Sequence, residues 1–292
     1  MPTLIRTLVF LIIASPAMAH GNEAHGSTYP WTFDPWIVVP LAVIVILFFV
    51  GVIRLTWRLT RPGMMMIRVL PYCGGMLALA GALLSPLHWL GEHLFAFHMI
   101  EHEIVMAVSA PLIVLARPAG ILLWGLPGKT RYAAGSVMRM AVVRRAWDWW
   151  TGATNATIIH GVAIWVWHVP VLFDAAVTDT SLHRLQHLSF FATAILFWWA
   201  MVWRSDYGAS AWHLFLTMIH TSILGVLLAL APRVLYVAQT QTATDWGLTP
   251  LEDQQLAGMI MWVPAGAVYA AAAMTMLALW IRHSGGRKTQ NV

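Results

Sequence analysis

A single cysteine, Cys73, stands among 292 residues. Its isolation excludes an intramolecular disulfide and every Cys-x-x-Cys metal or redox motif. Filling the core of its own helix is the role that remains. Charge is scarce too. Charged residues make up 10% of the chain, against roughly 25% in soluble domains, and that excludes an ordinary soluble fold. Repeats, low-complexity tracts, a P-loop and a prominent nucleophile are all missing. The sequence thus carries no motif for phosphate binding or covalent catalysis.

What fills the space is apolar. Hydrophobic residues reach 59%, with 17 Trp, and the mean hydropathy is +0.70. This is the composition of an all-α bundle of membrane helices, with tryptophans suited to interfacial belts. In a soluble protein the net charge of +5 would suggest nucleic acid. Here it reports basic loops beside lipid, and no nucleic-acid partner is expected.

Residues 1–19, MPTLIRTLVFLIIASPAMA, read as a cleaved signal peptide. Arg6 supplies the basic start, Thr7–Ala14 the apolar run, and Ala17-Met18-Ala19 the small-residue cleavage site. The mature chain then begins with a periplasmic tail over 20–35, carrying His20 and His25. A disordered polar tail is favoured there over a copper-capturing one. The membrane domain covers 36–282, and a cytoplasmic tail covers 283–292. Seven apolar runs are long enough to span: Trp36–Ile53, Val69–Leu87, Leu94–Leu115, Ala153–Val169, Leu185–Trp203, Leu214–Leu230 and Leu256–Ile281. Fourteen Lys and Arg fall on the side that faces the cytoplasm if the N-terminus is out, and only Arg184 and Arg233 on the other. This bias predicts the N-terminus out and the C-terminus in. The loop ending in WDWW at 147–150 is expected to rest on the inner membrane surface, although no clean amphipathic period is visible in it.

The third run opens HLFAFHMIEHE at His93, so its first third carries ionisable groups at a costly depth. His98 and His102 form an i, i+4 pair on one helical face, and Met106 continues it one turn deeper. His183 and His187, in HRLQH, form a second pair at matched depth. His168, in WHVP, ends the fourth span at the same level. The seventh enters through EDQQLAGMIM with Asp253. Ligand-type side chains from four helices thus converge near the outer surface. Imidazole is the commonest metal ligand, so the matched pairs point to a metal or cofactor. Imidazole with thioether suits copper, imidazole with carboxylate suits zinc or iron, and imidazoles on facing helices can clamp a haem. His160 and His220, near mid-bilayer, read as packed or hydrogen-bonded groups before they read as an ion path. His88 and His93 read as ordinary loop residues.

The segments HMIEH with APLIVLARP (98–118), WHVPVLFDAAV (167–177), HRLQHLSFFATAILFWW (183–199), APRVLYV (231–237) and GLTPLEDQQLAGMIMWVPAG (247–266) resemble the CtaG family of multi-span membrane cytochrome c oxidase assembly factors. The resemblance implies a bacterial inner-membrane protein that supports maturation of a haem–copper oxidase by supplying copper. It implies an oxidase subunit as partner, with a periplasmic copper donor as a further candidate; with no nucleophile or P-loop in the chain, no enzymatic activity is expected. The residues matching the family's motifs are His98, His102, His168, His183, His187, Asp253 and Gln254. The family pattern carries Gln between the two histidines of the third helix, where this chain carries Glu101. The resulting expectation is a copper site built chiefly from His98, His102, His183 and His187. His168 and Met106 are extra ligand candidates, and Glu101 and Asp253 would orient imidazoles or offset charge. Two rival readings use the same histidines: a haem- or metal-dependent membrane oxidoreductase, and a metal-free scaffold for oxidase subunits.

Overall fold

The computed structural model describes residues 30–58 and 63–288. The expected signal segment and the tail histidines His20 and His25 lie outside these. Every regular element among the described residues is helical. Six helices are long and apolar enough to cross a membrane, or seven when one bent pair is counted as a span.

The first two spans are α1 (Pro35–Thr56) and α2 (Gly63–Leu84). Asp34 caps α1 by accepting from the Trp36 amide at 3.0 Å, and Pro35 occupies the first turn, where its missing N–H costs nothing. At the other end of α1, Arg54 Nη1 donates to the carbonyls of Trp124, Gly125 and Leu126 at 2.7–3.1 Å. These carbonyls end the short helix α6 (Pro118–Gly125), and a cation there complements its dipole. Between α2 and the third span lies α3 (Pro86–His93), begun by Ser85 and Pro86.

The third span is composite: α4 (Phe95–Glu103), a π-helical turn (Ile104–Ser109) and α5 (Ala110–Leu115). Pro111 lacks an amide donor, and a wider turn is one way to absorb that loss in a membrane helix. Trp198 Nε1 donates to the Met106 carbonyl at 2.9 Å, and Trp203 Nε1 to the Val114 carbonyl at 2.9 Å. Carbonyls in this span thus find partners inside the bundle. In its best 18-residue window 61% of this span is buried, against 11% for α1. The third span is the axis of the bundle, and α1 is its edge.

Two further helices, α7 (Gly128–Arg139) and α8 (Ala141–Trp150), form the connection to the fourth span. Here the structure corrects the sequence reading: α8 is strongly amphipathic, with Val142, Trp147, Trp149 and Trp150 all exposed. The period was hidden because the segment is a single ten-residue helix within a longer loop.

The fourth span also differs from its expected form. Helix α9 (Ala153–Trp167) stops before His168, and α10 (Pro170–Thr178) leaves at 74°. Pro170 imposes the break, since a residue before proline avoids helical angles. The remaining spans are longer than their apolar cores: α11 (Thr180–Trp199, extended by a π turn to Arg204), α12 (Tyr207–Ala229) and α14 (Pro250–Lys288). A short helix, α13 (Val237–Thr240), lies in the connection before α14. Helices α12 and α14 pack backbone to backbone. A Cβ added at Gly258 would clash with the Ala229 amide nitrogen, the close approach that small residues allow in lipid. Phe95, Phe173, Phe190, Phe197, Tyr236 and Tyr269 anchor the main core.

Candidate metal centre

Helix α11 starts where it does because Asp179 accepts from the Ser181 and Leu182 amides at 2.7 and 2.9 Å. That start places His183 and His187 one turn apart near the end of the helix. Helix α4 has no cap of its own. Its first amides, Phe95 and Ala96, donate instead to the Asp253 carboxylate of α14 at 2.7 and 3.0 Å. This remote cap sets the height of His98 and His102, on the next two turns. Asp253 therefore holds the helix that carries the histidines and is spent on backbone amides.

The two pairs meet. His98, His102 and His187 each offer a ring nitrogen within 4.8 Å of the others. Ring centroids are 4.3 Å apart for His98 and His102, 4.9 Å for His102 and His187, and 5.9 Å for His98 and His187. His98 and His102 are each 1% exposed. His183 stacks on His187 at 4.5 Å and stands 5.5 Å from His98, one step toward the surface.

Hydrogen bonds divide the ring nitrogens in a telling way. His168 Nδ1 donates to the Ile164 carbonyl at 2.7 Å, and His98 and His183 face the Gly91 and Ala176 backbones. In all three Nε2 is buried without a partner among the described residues. One nitrogen held by a carbonyl, with the other left free, is how a metal-binding imidazole is oriented. In His102 and His187 both nitrogens lack partners. An unsatisfied buried polar atom costs roughly 1–3 kcal/mol, so this concentration calls for a ligand. A late transition-metal ion fits the donor set, since it accepts lone pairs from neutral imidazoles.

Glu101 is fully buried beside the cluster. Its Oε1 lies 2.8 Å from His88 Nδ1 and 3.6 Å from His187 Nδ1. The second distance is too long for a hydrogen bond, and Oε2 has no partner. The sequence placed His88 in a loop. It is instead a buried residue of α3, 7% exposed. Burial opposes its protonation, but the bond and charge of Glu101, with Glu92 and Asp34, outweigh that and raise its pKa. The Ser85-Pro86 start was a legible helix signal that could have found it. Gly91 makes the approach possible: a Cβ there would lie 3.0 Å from Glu101 Oε2 and 3.3 Å from the His98 Cα. Sequence reasoning also missed Gln186, whose buried side-chain nitrogen and oxygen are both unpartnered. It sits inside HRLQH, between the two histidines it accompanies.

Residues 46–283 match the family model described as cytochrome c oxidase caa3 assembly factor (Caa3_CtaG). The chain belongs to that family. Neither a curated protein nor a solved structure matches it. In this Caa3_CtaG protein the remaining expected residues do not join the trio within 4.8 Å. His168 sits at the bend between α9 and α10, its ring 5.9 Å from Phe173 and 6.1 Å from Phe190. Tyr236, whose hydroxyl pKa burial raises, donates to the His168 carbonyl at 2.7 Å. Met106 is packed in the main apolar core, on the π turn that departs from the α-helical stripe joining it to His102. Gln254 Oε1 accepts from the Leu235 amide at 2.6 Å and its Nε2 donates to the Arg233 carbonyl at 3.1 Å, so it braces a loop.

Proposed function

We propose that this assembly factor binds copper through His98, His102 and His187 and supports its delivery to cytochrome c oxidase. The observation that carries the reading is the trio itself: three buried imidazoles from two helices, with ligand atoms within 4.8 Å and ring nitrogens unpartnered. Family membership supplies the destination, and cytochrome c oxidase is a copper enzyme. Copper bound here accepts imidazole lone pairs and leaves by ligand exchange. Glu101, its Oε1 3.6 Å from His187 Nδ1, offsets the ion's charge. His183 and His168 stand by as further imidazoles, Met106 lies deeper in the packed core, and Asp253 fixes the height of the helix. The role is non-catalytic. A bacterial inner membrane, with the histidines toward the periplasm, suits the Lys and Arg bias. An oxidase subunit, a periplasmic donor and lipid are then the partners.

The decisive experiment is metal analysis of protein purified from copper-supplied cells, beside His102→Ala. Close to stoichiometric copper in the wild type and none in the variant is the expected result. Wild-type protein that carries neither copper nor another metal would leave a metal-free scaffold in its place.

A further inference from the structure

A cavity of about 640 Å³ opens between α1, α2 and α11. Apolar side chains such as Leu41, Leu83 and Phe191 wall it on one side. Among the polar groups that also line it are Glu92, His88, His183, His187 and His98. His102 does not line it and lies behind His98 and His187. The metal-binding type of side chain is thus graded inward from the surface. Glu92 has half of its side chain exposed, His88 is 9% exposed at the side chain, and His98 and His102 are sealed.

The geometry points to a handover station at the cavity mouth, formed by Glu92, His88 and His183, through which a metal ion reaches and leaves the buried trio. This inference rests on the copper reading above. Glu92 Oε1 and His88 Nε2 are 3.9 Å apart, close enough to share one ion after a small side-chain movement. The His183 ring is 5.7 Å from that of His88, and His183 Nε2 is unpartnered. Unlike the trio, the three do not each offer a ligand atom within 4.8 Å of the others, which suits brief occupancy. Inward of them, the His88 ring is 6.2 Å from that of His187, and His183 stands 4.5 Å from His187 and 5.5 Å from His98. An ion can therefore move by exchanging one ligand at a time. A bond to His183 breaks as one to His187 or His98 forms, and no electron is transferred. Charge at the mouth agrees. Arg184, which would repel a cation, is neutralised by Asp34, with Nη2 and Nε at 2.7 and 2.9 Å from Oδ2.

The test uses the purified full chain and a copper(I)–bicinchoninate complex, whose absorbance falls as copper is withdrawn. The variants are Glu92→Gln, His88→Gln and the double substitution, with His102→Ala as reference. The expected result for Glu92→Gln is wild-type stoichiometry and affinity within about threefold, and the double variant loads at least ~10-fold more slowly than the wild type. Because Glu92 is exposed, Glu92→Gln keeps the test open if His88→Gln fails to fold, with loading slowed several-fold. Loading at the wild-type rate in every folded variant overturns the station and leaves the trio standing. A loss of affinity as large as that of His102→Ala also overturns it, because the residues would then belong to one site. Failure of the wild type to take up any copper(I) instead sinks the metal reading itself, and the station with it.

Discussion

At one end of the bundle His98, His102, His183 and His187 keep ring nitrogens with no partner among the described residues. Deeper in, His160 is as fully buried but satisfied. Its Nδ1 lies 3.0 Å from Thr193 Oγ1, and its Nε2 3.5 Å from Tyr269 Oη. His213 Nδ1 is 3.1 Å from Thr157 Oγ1. His220 stands between the two cases: Trp165 Nε1 reaches its Nδ1 at 3.4 Å, and its Nε2 is free but isolated. The same side chain in the same apolar setting therefore serves two ends. A histidine paired with neighbouring hydroxyls ties helices together. On the copper reading proposed above, a group of them left unpaired is held in reserve for an ion, at a cost to the folded protein without it.

The contrast predicts opposite responses to truncation. His187→Ala should lower copper affinity by at least ~100-fold, beyond the effect of an outer ligand partner. The stability of the metal-free protein should change by under about 1 kcal/mol, because lost packing is offset by removal of unsatisfied nitrogens. His160→Ala should do the reverse. It should destabilise by ~1–3 kcal/mol through a cavity and a lost interhelical bond, with copper affinity unchanged. Titration with a copper(I) chelator and thermal unfolding in detergent measure both. Equal loss of stability in the two variants would erase the distinction between the regions.

A smaller effect on copper affinity sharpens it. Asp253→Asn removes the charged cap from α4 without emptying space. Stability should fall by about 1–3 kcal/mol, because the Asn NH2 would face one of the two amides that donate to Asp253 and leave it unsatisfied, and copper affinity should fall several-fold as His98 and His102 lose their fixed height. Unchanged affinity beside lowered stability would show that the cap positions the helix but not the site.

Much of this was open to a reader of the chain alone. Apolar run length announces a membrane helix because lipid forces every backbone group to be satisfied within its own segment. The i, i+4 spacing of His98 with His102, and of His183 with His187, follows from helix pitch, and so does their shared face. Local composition was less informative where an element is short or broken. The eight residues of α3 are too few to read as a span, so His88 passed for a loop residue. The break at His168 depends on Pro170, whose effect on direction sequence cannot measure.

The sequence by itself determined that this is a helical membrane protein of the oxidase-assembly type, with paired histidines near one end of its helices. These properties are local: hydropathy, helical period and motif spacing act over a few residues to a few turns. Only the tertiary structure decided that His187 joins His98 and His102 while His183 steps outward, that Glu101 faces His88, and that Asp253 is spent on amides 157 and 158 residues away. Those outcomes depend on the height, rotation and approach of separate helices. Such quantities come from packing between distant segments, as at Gly91, and no window along the chain contains them.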